Sequence, residues 1–276
     1  MIDSHHHLWD PARRAYPWMS GEALAPIRRA YGLAELRRET SAAGVTGTVL
    51  VQTVGDVIET DEFLAVAAES EGLVRGVVGW VDLTAPDVGD ELARLRSLPG
   101  GDLLVGIRHQ VQDEPDPLWF SRPSVVRGLR AVAAAGLVYD LLVLVPQLAV
   151  TRSVVEELPD LRFVLDHAAK PPIASGQFEP WAGEIAALAK YPHVSCKFSG
   201  LVTEASWTTW TPDQISPYVR HIFDVFGPSR VMFGSDWPVC ELAATYEQVV
   251  SLARDLTSTD QDAVFSGTAR SVYGLR

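Results

Sequence analysis

The sequence predicts an α/β protein, a single (β/α)8 barrel of the TIM type spanning residues 1–276. Three observations carry this expectation. The length of 276 residues suits one barrel of ~250 residues and leaves no room for a second domain. Short β-branched or apolar runs alternate with longer Ala/Leu/Glu/Arg stretches, the signature of βα units around a parallel sheet. The apolar runs close on polar residues, as strands do when their C-terminal ends line a common pocket.

Strands are expected at 2–7, 47–52, 76–81, 103–108, 137–142, 162–167, 194–199 and 230–236. Helices are expected between them. The stretch 33–43 stops at Gly44, 61–70 before Gly72, 90–97 before Pro99-Gly100 and 124–135 at Gly136. The stretch 151–158 opens on Thr151 as a cap and stops before Pro159. The stretch 181–190 stops before Pro192, and 211–226 before Gly227-Pro228. Pro212 and Pro217 are placed near the start of that helix, where a missing N–H costs least. The last helices are expected at 244–256 and 261–266. Residues 11–27 and 171–180 break the pattern and follow the first and sixth strands, the place of lid loops.

Composition excludes several classes. Apolar residues make up 47% and charged residues 21%, enough for a sizeable core. The net charge of −12 disfavours nucleic acid and anionic membranes as partners. Cys196 and Cys240 lie far apart and form no Cys-x-x-Cys pattern, so neither a zinc knuckle nor a disulfide framework is expected. The apolar stretch 137–150 is interrupted by Asp140, Pro146 and Gln147 and is too short to span a membrane. No basic-then-apolar leader precedes the first strand, and a cytoplasmic protein is expected. A homo-oligomer is compatible with the sequence.

The stretch Ile2-Asp3-Ser4-His5-His6-His7-Leu8-Trp9-Asp10 organises the site. Residues two apart on a strand share a face, so His5 and His7 project together and His6 points away. Three histidines near a start also suggest an expression tag, but tags are longer and these sit inside native-looking sequence. Further polar residues close the other runs: Gln52, Arg108, His109, Asp140, His167, Lys197 and Asp236. Unpaired buried charge is costly, and a shared wet pocket explains the recurrence better than separate structural networks. Barrel closure brings Asp236 beside His5 and His7, and two histidines with a carboxylate can hold a divalent metal ion. His167 adds a further ligand or a donor to substrate oxygen.

His5-x-His7 on the first strand, His167 on the sixth and Gly-Ser-Asp236-Trp-Pro on the eighth resemble the amidohydrolase superfamily. Gly-Ile-Arg108-His109, Asp166-His167-x-x-Lys170-Pro and Phe-Gly-Ser-Asp236-Trp-Pro resemble its sugar-lactonase branch, which contains L-fuconolactonase and L-rhamnonolactonase-like enzymes. The resemblance runs from residue 2 to Tyr273. It implies a hydrolase acting on the carboxylic ester of a small-molecule lactone. It lacks the bridging lysine of binuclear members, since the fourth run ends in Arg108-His109 and the fifth carries Asp140. One divalent metal ion, zinc or manganese, held by His5, His7 and Asp236, or no metal at all, is therefore expected.

The expected roles follow. Asp236 is the general base that activates water; His5, His7 and His167 stabilise the oxyanion. Arg108, His109, Asp140, Gln52, Trp9, Lys170 and Trp237 are expected to contact substrate, with Trp18 as a further stacking face. Arg108 has a structural alternative in an ion pair with Asp140 or Asp82, and only one of Arg108 and His109 fits the inward phase of a regular strand. Asp10 and Asp166 are expected to orient histidines. An aldonolactone is favoured over a muconolactone or pyrone dicarboxylate, because few cations lie near the strand ends. A metal-dependent decarboxylase of the same superfamily and a non-catalytic sugar-acid-binding barrel remain as alternatives.

Overall fold

The computed structural model describes residues 1–258 and 260–276. Eight parallel strands follow one another around a sheet in chain order. They are β1 (Ile2–His6), β2 (Gly47–Val51), β3 (Val74–Gly79), β4 (Leu104–His109), β5 (Val138–Leu141), β6 (Phe163–Leu165), β7 (Val194–Phe198) and β8 (Val231–Phe233). The sheet closes just past β1 and β8. The Asp236 N–H donates to the His5 carbonyl at 2.8 Å, and the His7 N–H to the Trp237 carbonyl at 2.7 Å. Closure thus fixes Asp236 beside the histidine strand, through backbone bonds rather than side-chain chance.

The helices are α1 (Leu33–Ala43), α2 (Val57–Glu69), α3 (Val88–Ser97), α4 (Pro123–Ala134), α5 (Leu148–Glu157), α6 (Trp181–Leu188), α7 (Pro212–Phe226), α8 (Tyr246–Leu256) and α9 (Thr268–Tyr273). Their starts have local causes. The Asp56 carboxylate accepts from the Ile58 N–H and opens α2. Thr245 and Gln248 exchange side-chain and backbone bonds at the start of α8.

Three expectations about helices need correction. Thr151 is not a cap: α5 begins at Leu148, and the Thr151 hydroxyl donates to the Gln147 carbonyl one turn back. Gln147 opens the turn instead, its Oε1 accepting from the Leu144 N–H. Pro217 lies inside α7 rather than at its start. The helix continues through it because Ile215, Tyr218, Val219, Ile222 and Phe226 form a buried face. The final helix runs beyond residue 266: a π-helical turn at Ala263–Gly267 leads into α9.

Two apolar clusters result. The larger lies between the sheet and the helices. The smaller fills the barrel with Ile2, Val49, Val51, Val78, Val138, Val164 and Met232, and is closed by Ala269, Tyr273 and Leu275 from the C-terminal segment. The β1–β2 register shifts between Asp3 and His6. That shift lets Ile2 and His5, three residues apart, both serve the barrel interior. Above the valine floor the inward positions become polar, with Asp140 following Val138 and Asp166 following Val164 two residues on. No helix among the described residues is long and apolar enough to cross a membrane.

Candidate active site

The polar layer begins with a buried ion cluster. Lys197 on β7 is fully enclosed and reaches Asp140 at 2.5 Å and Asp166 at 2.9 Å. The Tyr273 hydroxyl, from α9, donates to Asp140 at 2.8 Å. Arg108 on β4 donates to Asp166 at 2.9 Å and through Nε to Gln52 Oε1 at 2.8 Å, and its Nη2 also meets the Gln52 carbonyl. Burial works to raise the Asp166 pKa, but Lys197, His5 and Arg108 outweigh it and hold the carboxyl well below the usual range. Burial raises Asp140 to about 6, against the pull of Lys197.

His5 rests on this cluster. Its Nδ1 lies 3.1 Å from Lys197 Nζ and 3.3 Å from Asp166. Its Nε2 lies 3.3 Å from Arg108 Nη1 and 3.2 Å from His7 Nε2. The His7 Nδ1–H donates to the Val51 carbonyl at 2.7 Å, which leaves Nε2 as an acceptor 3.4 Å from Asp236. His167 Nδ1 meets Ser199 Oγ at 2.8 Å, and its Nε2 stands 3.9 Å from Asp236. His6 points the other way, to Thr48 Oγ1 at 3.0 Å.

Burial sets the charge of this group. It lowers the pKa of His5, His6, His7 and His167, to about 3 for His6 and about 4 for His167. Burial also tends to raise Asp236, but His167, His7 and Lys170 overcome it and keep the carboxyl below its ordinary value. At neutral pH the cavity therefore presents neutral imidazoles and an ionised Asp236.

The backbone around these side chains is strained. His167, Ala168, Ala169 and Lys170 all have left-handed φ, between 48° and 57°, and none is glycine. Each such residue costs ~1–2 kcal/mol. The turn is held by the Trp181 indole N–H, which donates to the Ala168 carbonyl at 2.7 Å. Asp236 has φ 58°. Gly200, at φ 65°, passes so close that a Cβ there would lie 2.7 Å from the His167 ring and 3.1 Å from Asp236.

A cavity of about 110 Å³ opens above, bounded by His7, His167, Asp236, Arg108 and Lys170 together with Thr53, Gln110, Gln112, Leu142, Val239 and Trp18. Several expected contacts lie elsewhere. His109 alternates outward from Arg108 and is tied to Glu114 at 2.7 Å and to the Trp80 indole N–H at 2.9 Å. Asp140 sits below the site, spent on Lys197 and Tyr273. Gln52 is buried and serves Arg108. Trp9 packs behind His7 and donates to the Ile27 carbonyl, and Trp237 is buried with its indole N–H on Glu241. Asp10 orients no histidine; it accepts from the Ala12 N–H in a turn. Arg108 pairs with Asp166 rather than Asp140 or Asp82.

The residues missed by sequence reasoning are Thr53, Gln110, Gln112, Leu142 and Val239. Most follow strand ends in irregular turns, where no periodicity marks a direction. Their one shared signal is position just past a strand already read as ending at the site.

The donor set fits a metal ion: His5, His7 and Asp236 offer ligand atoms within 4.8 Å of one another, as do His5, Asp166 and His167. The Amidohydrolase family model matches residues 2–275. The chain belongs to the amidohydrolase family. It is 37% identical to an L-fucono-1,5-lactonase of Burkholderia multivorans, over 99% of this chain and 96% of that protein. It is 40% identical to an L-fucono-1,5-lactonase of Burkholderia ambifaria, over 89% of this chain and 82% of that protein. Among solved structures it resembles an amidohydrolase from Burkholderia multivorans with bound zinc, at TM-score 0.92 and 36% identity, covering 100% of this chain and 99% of the other.

Proposed function

We propose that this amidohydrolase, working as one domain over residues 1–276, hydrolyses the ring ester of an uncharged sugar-acid lactone, an aldonolactone of the L-fucono or L-rhamnono kind. The observation that carries the reading is the cavity itself: an ionised carboxylate faces two imidazoles, and the rest of the polar lining is neutral apart from Arg108 and Lys170. Of the two cations lining it, Arg108 is spent on Asp166 and Gln52. Lys170 is the other, and its ammonium makes no hydrogen bond or ion pair among the described residues. One free cation is a poor match for a dicarboxylate and a good match for a single developing oxyanion. The two lactonase relatives support the same substrate class.

Asp236 is the base in this reading. Water hydrogen-bonded to its carboxylate loses a proton to Asp236 as it attacks the lactone carbonyl. Charge builds on the former carbonyl oxygen, where Lys170 and the His167 Nε2–H meet it, with Arg108 behind. One such donor is worth ~3–4 kcal/mol. The C–O ring bond then breaks, and Asp236 returns its proton to the leaving ring oxygen. The products are the free hydroxyl and the sugar acid, which releases one proton to solvent.

His5 Nε2, His7 Nε2 and an Asp236 oxygen would hold one zinc or manganese ion. Such an ion supplies Lewis-acid polarisation of an oxygen bound to it. The test is a pH-indicator assay in weak buffer with neutral 1,4- and 1,5-aldonolactones and a dicarboxylated lactone. Faster acid release from neutral lactones is expected. Preference for the dicarboxylated lactone overturns the substrate class.

A further inference from the structure

We infer that Gln112 and Trp18 read hydroxyl groups of the lactone ring and so set which sugar lactone the site accepts. The inference rests on the lactonase reading above and extends it to two further residues of the cavity wall. Both side chains line that cavity with His7, His167 and Asp236. Each has a polar atom shut away from solvent with no hydrogen-bond partner in the protein: Gln112 Oε1 and Trp18 Nε1. Buried polar atoms are partnered in roughly 90% of cases, so such orphans call for a reason. Six side-chain atoms share this condition among the described residues, and these two belong to the cavity.

Their supports are firm while their polar tips are free. Gln112 sits on the short turn Val111–Asp113 after β4. Its backbone N–H donates to the Leu142 carbonyl at 3.1 Å, and Gln147 holds the Val111 carbonyl at 2.8 Å. Trp18 lies on the turn Pro17–Met19, whose Met19 carbonyl is clamped by Arg28 at 2.7 Å. The Trp18 ring stands edge-on to Trp9 at 5.4 Å. Gln110, by contrast, already spends its amide on the Thr53 carbonyl.

The chemistry of the pair selects the ligand group. Gln112 Oε1 accepts and Trp18 Nε1 donates, and a hydroxyl can answer either one. Neither residue titrates or carries charge, so a carboxylate gains nothing from Gln112 Oε1. Position agrees. In an eight-stranded ring β4 stands opposite β8, which delivers Asp236. A ring whose carbonyl meets Asp236 therefore turns its far carbons toward Gln112.

The test is a cycle of variants against substrates. Initial rates are measured for the unaltered protein, Gln112→Met and Trp18→Phe on a 1,5-aldonolactone and its monodeoxy analogues. One monodeoxy analogue is expected to lose about tenfold in kcat/KM with the unaltered protein, the value of a hydrogen bond. In the variant that removes the partner of the missing hydroxyl, that penalty shrinks toward onefold. A general packing defect lowers all substrates alike and leaves the penalty intact; that result, with every deoxy penalty the same in the variants as in the unaltered protein, overturns the inference. Failure of the unaltered protein to open any lactone overturns the lactonase reading instead.

Discussion

At the scale of single residues, the site depends on Asp236 and His167 being held where no regular strand would put them. Both have left-handed backbones, and Gly200 is the neighbour that leaves them room. Gly200→Ala is expected to cost ~1–2 kcal/mol for its positive φ alone. It also pushes on the His167 ring, so kcat/KM for the best lactone should fall at least tenfold; urea unfolding and initial rates check the two parts. Arg108→Lys should be as damaging, since lysine cannot hold Asp166 and Gln52 at once. A tenfold or greater loss of kcat/KM is expected, and an unchanged rate would remove Arg108 from the site. Period-two alternation makes His5 and His7 readable as a pair and barrel closure brings Asp236 beside them, whereas the choice between Arg108 and His109 and the direction of His167 needed the structure. The sequence misplaces Trp9, Trp237 and His109, whose aromatic character suits packing and stacking equally. Only their indole and imidazole partners decide.

At the scale of elements, β7 and α9 carry the platform under His5. Lys197 neutralises two buried carboxylates, and removing one partner of a buried pair costs ~3–5 kcal/mol. Lys197→Met should therefore be strongly destabilised in urea, much more than Tyr273→Phe, which removes one neutral donor from Asp140 for ~1–2 kcal/mol. Equal losses would show that the cluster is not held by the lysine. All eight strands were legible, β1 from its histidines and the others as largely apolar runs, because a parallel strand buried on both faces is mostly apolar. Helix ends were less so. Thr151 and Pro217 carry boundary signals, yet Gln147 and the buried face of α7 override them. The family resemblance reached Tyr273, but its role beneath the barrel had no sequence signal, since a short helix with one tyrosine has no distinguishing period.

At the scale of the whole molecule, four histidines are buried with pKa values below their ordinary 6.5. The unfolded chain takes up those protons near pH 6.5, while the folded chain resists until far lower. The stability they contribute is complete above pH 6.5 and is lost as pH falls through about 4 and then 3. Asp3 and Asp140, both raised to about 6 by burial, act in the opposite sense: their contribution is present below 3.8 and lost as pH rises through 6. Glu59 and Glu204 act with Asp3 and Asp140, whereas the carboxyls of Asp166 and Asp236, held below their ordinary value, act with the histidines, so calorimetry should show Tm falling from pH 7 to pH 4. A Tm that holds or rises over that range contradicts the buried neutral histidines. The barrel concentrates this burial at one end, where eight strands bring their polar tips together and the valine floor shuts out water from below.

The central claim is that this cavity opens a sugar lactone with Asp236 as the base. Its most direct test is proton release from an aldonolactone by the unaltered protein and by Asp236→Asn, with thermal unfolding to confirm that both are folded. The unaltered protein should release one acid equivalent per lactone, and the variant should be slower by ~10²–10⁴, the span of a general base. A folded Asp236→Asn variant that releases acid at the unaltered rate contradicts the account.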